Sequence, residues 1–124
     1  MNLRRLVDFL RDEISVEDFL SEINSEVDDY RGGLHKRGAS VPLYVTEDNF
    51  SYVVGRNDVK RLCELYMTGA LSEWHLQYIC NAIELAASLS TADEKVEDAV
   101  FQLASPEINF LLTTETVSSI CGEL

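Results

Sequence analysis

The sequence predicts a mainly α fold, a compact bundle of about six helices with one small β-hairpin, in a single domain over residues 1–124. Three observations predict it. Apolar residues recur at helical spacing along most of the chain, from Leu3, Leu6, Val7 and Leu10 to Val96, Ala99, Val100 and Leu103. Ser, Thr or Asn stands where several of these runs begin, and Gly where several end. Only residues 41–55 break into β-rich runs separated by turn formers. A chain of 124 residues with 46% apolar content can bury a core without metal or disulfide help, and no repeat, low-complexity run or linker divides it.

The first helix covers residues 3–11. Ser15 then caps a second helix, with Asp18 as its capping-box partner, and Val16, Phe19, Leu20, Ile23, Val27 and Tyr30 form its apolar face. Gly32 and Gly33 supply its stop, and residues 34–40 read as a polar, basic loop. Residues 41–45 and 50–55, with Glu47 and Asp48 between them, read as the hairpin, with Pro42 marking an edge position. Asn57 caps a third helix, which Gly69 ends. Ser72 caps a fourth that runs on through Leu89, is apolar on most sides and is expected to be the most buried element. Thr91 and Glu94 form a capping box for a fifth helix, stopped by Ser105 and Pro106. Thr113 caps a short sixth, with Leu112 and Val117 as a hydrophobic staple and Gly122 as its end.

Charge narrows the function classes. Ten Lys and Arg face 22 Asp and Glu, a formal net charge of −12. Such a field repels nucleic acid and anionic lipid and favours a basic protein partner. Both ends are acidic, whereas residues 31–64 carry Arg31, Lys36, Arg37, Arg56, Lys60 and Arg61. These cations can pair with the acidic ends of the same chain. No apolar run is long enough to span a bilayer, and Asp8, Asp12 and Glu13 interrupt the opening too early for a signal peptide, which places the chain in the cytoplasm.

Catalytic and metal chemistry find little footing. Cys63, Cys80 and Cys121 form no C-x-x-C pair and sit in apolar helical patterns, as reduced core thiols do. His35 and His75 lie in no nucleophile motif, and no glycine-rich phosphate loop is present. No catalytic residue, metal site or cofactor is assigned. A small enzyme using two carboxylates stays an alternative, and it would show a concave pocket holding a carboxylate of raised pKa.

The residues singled out for binding lie on the second helix. Asp18, Glu22, Glu26 and Asp29 fall within an arc of about 80° at 100° per residue, and no Lys or Arg lies in the span 16–30 to pair with them. Like charges one turn apart each cost an isolated helix a few tenths of a kcal/mol. A sequence that keeps four either offers them to a cationic partner or pairs them with Arg4, Arg5 or Arg11 of the first helix. Glu47 and Asp48 at the hairpin tip and Tyr52 beside it complete the candidate partner-binding set. A second acidic cluster, Asp93, Glu94, Glu97 and Asp98, opens the fifth helix, where the helix dipole accounts for its first pair.

Several stretches resemble a known class of proteins. Leu3-Arg4-Arg5-Leu6-Val7-Asp8-Phe9-Leu10 followed by Ile14-Ser15-Val16-Glu17-Asp18-Phe19 is similar to the start of bacterial immunity proteins of the colicin D immunity type. Tyr66-Met67-Thr68-Gly69-Ala70-Leu71-Ser72, Cys80-Asn81-Ala82-Ile83-Glu84 and Leu103-Ala104-Ser105-Pro106-Glu107-Ile108-Asn109 with Leu112-Thr113 resemble immunity proteins of contact-dependent growth inhibition systems. The second likeness extends over the stretch from Leu65 to Leu124, so that with the opening the resemblance covers more than half of the chain; residues 34–54 match no pattern. The resemblance implies a cytoplasmic, non-enzymatic protein that binds a toxin domain, often a basic nuclease, and covers its active site with acidic side chains. Aromatic anchors would carry much of the affinity, with Tyr30, Tyr44, Phe50 and Tyr52 as candidates. The competing expectation is an adaptor or regulatory module with an exposed apolar groove and weakly salt-dependent binding.

Overall fold

A computed structural model describes residues 1–34, 51–104 and 112–124, with side chains omitted for 30–34. Among them are six helices: α1 (Leu3–Leu10), α2 (Val16–Leu34), α3 (Arg56–Met67), α4 (Glu73–Leu85), α5 (Glu94–Ala104) and α6 (Thr114–Gly122). Two short strands, β1 (Tyr52–Val54) and β2 (Leu89–Thr91), complete a mainly helical bundle with a small two-stranded sheet. No helix among the described residues is long and apolar enough to cross a membrane.

Local chemistry explains most boundaries. Asn2 Oδ1 accepts from the Arg5 N–H and opens α1, and Ser15 Oγ accepts from the Asp18 N–H and opens α2. Ser72 and Thr113 cap α4 and α6 as the sequence predicts, each accepting from the amide three residues on at 3.2 Å. Gly69, at φ +87°, turns the chain after α3 in a backbone region that a side chain would strain.

Other boundaries differ from the sequence reading. α2 continues through Gly32 and Gly33 to Leu34, because neither glycine takes a positive φ and a helix tolerates glycine at about 1 kcal/mol each. α3 starts one residue before Asn57: Gly55 is its N-cap, and Asp58 Oδ2 reaches back to the Gly55 N–H at 2.9 Å. α4 ends at Leu85 rather than running on through Leu89, which lies in β2. Thr91 also lies in β2, so Asp93 caps α5 instead, its Oδ1 accepting from the Val96 N–H at 3.0 Å.

The sheet pairs distant segments. Tyr52, Val53 and Val54 lie opposite Leu89, Ser90 and Thr91 in parallel register. The expected hairpin partner, 41–45, lies outside the described residues, as do Tyr44, Glu47, Asp48 and Phe50. The chain passes from β1 to β2 through α3 and α4, as a parallel pair requires a long crossover.

The core runs through every helix. α4 supplies its centre, with Leu76, Tyr78, Ile79, Cys80, Ala82 and Ile83 all buried. It packs most extensively on α5 and also against α2 and α3, while α6 lies on α3. Asn81 Nδ2 ties α4 to α5 by donating to the Ala104 carbonyl at 3.0 Å, giving a partner to one of the last carbonyls of α5. Phe9 and Phe19, both fully buried, stack at 4.4 Å between centroids and join α1 to α2. Cys63 and Cys80 are buried free thiols and Cys121 is half-buried. Burial first, then neighbouring thiols and carboxylates, raises the Cys63 thiol to about 12.

Candidate partner-binding surface

The acidic stripe on α2 divides into two kinds of residue. Glu22 receives Arg5 of α1 in a two-pronged pair, with Nη2 to Oε2 at 2.7 Å and Nε to Oε1 at 3.1 Å. That bond lowers the Glu22 carboxyl below its usual range. Glu26 accepts from the Met1 amino group and, at 3.0 Å, from the hydroxyl of buried Tyr78. Glu22 and Glu26 are therefore satisfied by α1, the chain start and α4. Asp18 and Asp29 stay exposed, beside Glu17 and Asp28. Pairing from the preceding helix, one of the two explanations open at the sequence level, accounts for Glu22, while Glu26 is held by the Met1 amino group and Tyr78.

Tyr52, the remaining described member of the candidate set, is half-buried, and its hydroxyl donates to Asp58 Oδ2 at 2.9 Å. The same oxygen caps α3 through the Gly55 N–H. Desolvation, then the Asp58 bond, pushes the phenol up to about 12. Tyr52 is thus held in the joint between β1 and α3.

Of the basic middle of the sequence, Arg56 and Arg61 are paired within the chain. Arg56 reaches Asp93 at 3.0 Å and the Leu124 carbonyl at 3.2 Å, while Arg61 reaches Asp12 at 3.1 Å. The Arg61 guanidinium also lies 5.4 Å from the centroid of Phe9, and its buried Nε has no partner among the described residues. His75 joins α4 to α2. Its Nδ1 accepts from the Ser72 amide at 3.2 Å, which places the proton on Nε2, 2.8 Å from Asn24 Oδ1. Burial lowers its pKa, as expected for an imidazole held neutral.

A groove of about 420 Å³ opens between the end of α4, β2 and α5. Glu84, Ser90, Thr91, Glu97, Asp98 and Phe101 line it over an apolar floor that includes Ile83 and Val100. None of its three carboxylates has an ion pair among the described residues. Partial desolvation, then the charge of Glu97, holds the Glu84 carboxyl above its ordinary value. Phe101 in its lining is 45% exposed; Leu85, which follows Glu84 at the end of α4, is 66% exposed, and Val53, paired with the lining residue Ser90, 57%. A second cleft of about 420 Å³ between α5 and α6 includes Lys95 in its lining, so its anions have a cation beside them.

The sequence reading missed this groove for identifiable reasons. The helical spacing puts Leu85 within a buried helix, but α4 ends there and leaves it at the surface. Spacing alone groups Glu97 and Asp98 with a helix-opening cluster and does not place them beside Glu84. Phe101 carried a usable signal, since it stands off the inward face formed by Val96, Ala99, Val100 and Leu103.

No family model, curated protein or solved structure matches the chain. Geometry and chemistry alone therefore define the class: a small acidic helical protein whose described arginines are largely paired within the fold and whose groove is anionic and lined by an exposed aromatic ring.

Proposed function

We propose that this chain is a bacterial immunity protein that binds a cognate toxin domain and blocks it by covering a basic active-site cleft, the toxin being a nuclease. The observation that carries the reading is the asymmetry of charge pairing. Arg5, Arg11, Arg56 and Arg61 each pair with a carboxylate of the same chain. The excess negative charge is consequently displayed on exposed residues such as Asp18 and Asp29 of α2 and Glu97 and Asp98 of α5. An anionic surface speeds encounter with a cationic partner and competes with phosphate for the same cleft. The resemblance of the chain's opening and second half to immunity proteins supports the same reading, and the reading places the protein in the cytoplasm.

The protein, used as bait in lysate of its source organism and eluted with rising salt, is expected to retain one basic effector fragment. Adding back the protein should abolish that fragment's nuclease activity at stoichiometric ratio. Capture of the fragment without inhibition would overturn the proposal, and so would retention of only housekeeping proteins by salt-insensitive contacts.

One observation favours a second reading. Glu84 is a carboxyl of raised pKa in a concave groove, the feature expected of a small carboxylate-based enzyme. Desolvation and repulsion from Glu97 explain that shift, and a docking cation would relieve the repulsion and compensate the burial by favouring the charged carboxylates. The two readings separate on turnover. An enzyme would process a glycoside or ester with a pH profile that Glu84→Gln removes, whereas the binding protein has no turnover to lose.

A further inference from the structure

We infer that the groove between α4, β2 and α5 is the docking site for an arginine-bearing, partly apolar segment of the protein partner, with the guanidinium between Glu84 and Glu97 and its flat face toward Phe101. The inference deepens the immunity reading by naming the contact site, and it rests on that reading for the partner's biological role.

The occupant follows from charge and shape together. On α5, Glu94, Glu97, Asp98 and Phe101 fall within an arc of about 100°, so the anions and the aromatic ring face the same way. Glu84 approaches Glu97 from α4 closely enough for its charge to be felt. Among the described residues no cation lines the groove. A purely apolar ligand would bury these carboxylates without compensation, which is costly. A small metal ion is a poor fit, because no described group of three or more His, Cys, Asp and Glu side chains is placed to hold one. A guanidinium matches the site on two counts: it bonds carboxylates in its plane and stacks on aromatic rings with its faces. Neighbouring apolar side chains of the segment would meet Phe101 and Val53, the latter exposed and paired in the sheet with the lining residue Ser90. By contrast, the α2 stripe has two of its four carboxylates already bonded and offers no described apolar anchor beside the rest.

The test is an NMR titration of the full chain with a capped hexapeptide of alternating arginine and leucine, with the glutamate–leucine hexapeptide as control. Saturable amide shifts are expected at Glu84, Ser90, Glu97 and Phe101 with the first peptide and not with the second. Glu84→Gln/Glu97→Gln should weaken binding at least tenfold, and Phe101→Ala should weaken it severalfold; a thermal melt of each variant checks that it folds. Shifts confined to Glu17, Asp18, Asp28 and Asp29, equal binding of both peptides, or unchanged affinity in the double variant would overturn the inference. The toxin reading is separable. If a toxin is captured and inhibited equally by wild type and double variant, the immunity function stands and the groove assignment falls. If the groove binds the arginine peptide as described and no toxin is found, the groove stands and the immunity function falls.

Discussion

Truncating the α2 stripe one residue at a time should separate its structural members from its free ones, beginning with Glu26→Ala. Glu26 accepts from the hydroxyl of buried Tyr78 at 3.0 Å and from the Met1 amino group, with only 25% of its side chain exposed. A hydrogen bond to a charged group contributes about 1.5–3 kcal/mol, and the loss is felt in full when the donor is buried. A cost of about 2 kcal/mol is therefore expected, a shift of about 1 M in the urea midpoint at a typical slope of about 2 kcal/mol/M. Glu22→Ala removes an exposed pair with Arg5, whose side chains are 40% and 39% exposed, and should move the midpoint far less. Asp29→Ala should leave it unchanged or slightly raised, because it removes a like charge from one helix face, while Asp18→Ala, which also removes a favourable first-turn anion of α2, should lower it by less than Glu26→Ala. Equilibrium urea unfolding of the four variants measures the series. Four equal shifts, or a neutral Glu26→Ala, would refute the division of the stripe into bonded and free carboxylates.

Three further outcomes are expected. Arg61→Met gives up a cation–π contact of about 0.5–2 kcal/mol and an exposed ion pair contributing about 0–1 kcal/mol, but relieves the unpartnered Nε–H at about 1–3 kcal/mol while keeping the apolar stem over Phe9. Urea unfolding should find the change near neutral, and a loss beyond about 2 kcal/mol would show that Arg61 contributes more than these contacts. His75 has a lowered folded pKa, so the unfolded chain binds its proton first and stability falls as pH drops below 6.5. Melting temperatures of His75→Ala between pH 7 and 5 should show a shallower slope than wild type. Glu84 has a raised folded pKa, so its effect has the opposite sign: relative stability is full below its ordinary value of 4.5 and is lost as pH rises through the folded value. Glu84→Gln should therefore melt higher than wild type at pH 7, with the difference fading at acid pH.

Local signals were legible where one residue type has one physical use. Ser15, Ser72 and Thr113 were readable as caps because a hydroxyl before an apolar helical run has a backbone N–H to satisfy. The central place of α4 was readable from apolar residues on most of its faces. Sheet pairing was not, because a run such as Tyr52-Val53-Val54 records its β preference and not its neighbour, and the described neighbour, β2, lies beyond two helices. The pairing of Glu22 and Glu26 depends on how α1 and the chain start pack against α2, which spacing within α2 cannot encode. The groove escaped for a similar reason: Glu84, Ser90 and Phe101 come from three elements, and only folding makes them one surface.

The parallel pairing of β1 with β2 also bears on how the molecule assembles. Antiparallel neighbours can zip from a tight turn, but these strands are separated by α3 and α4, so their pairing carries the loop-closure entropy of the long segment between them. Since Ser90 and Thr91 of β2 line the groove, the acidic cleft depends on that distant pairing rather than on any one local segment. A fragment holding α4 and α5 without β1 would keep the groove's carboxylates and lose the strand that β2 leans on.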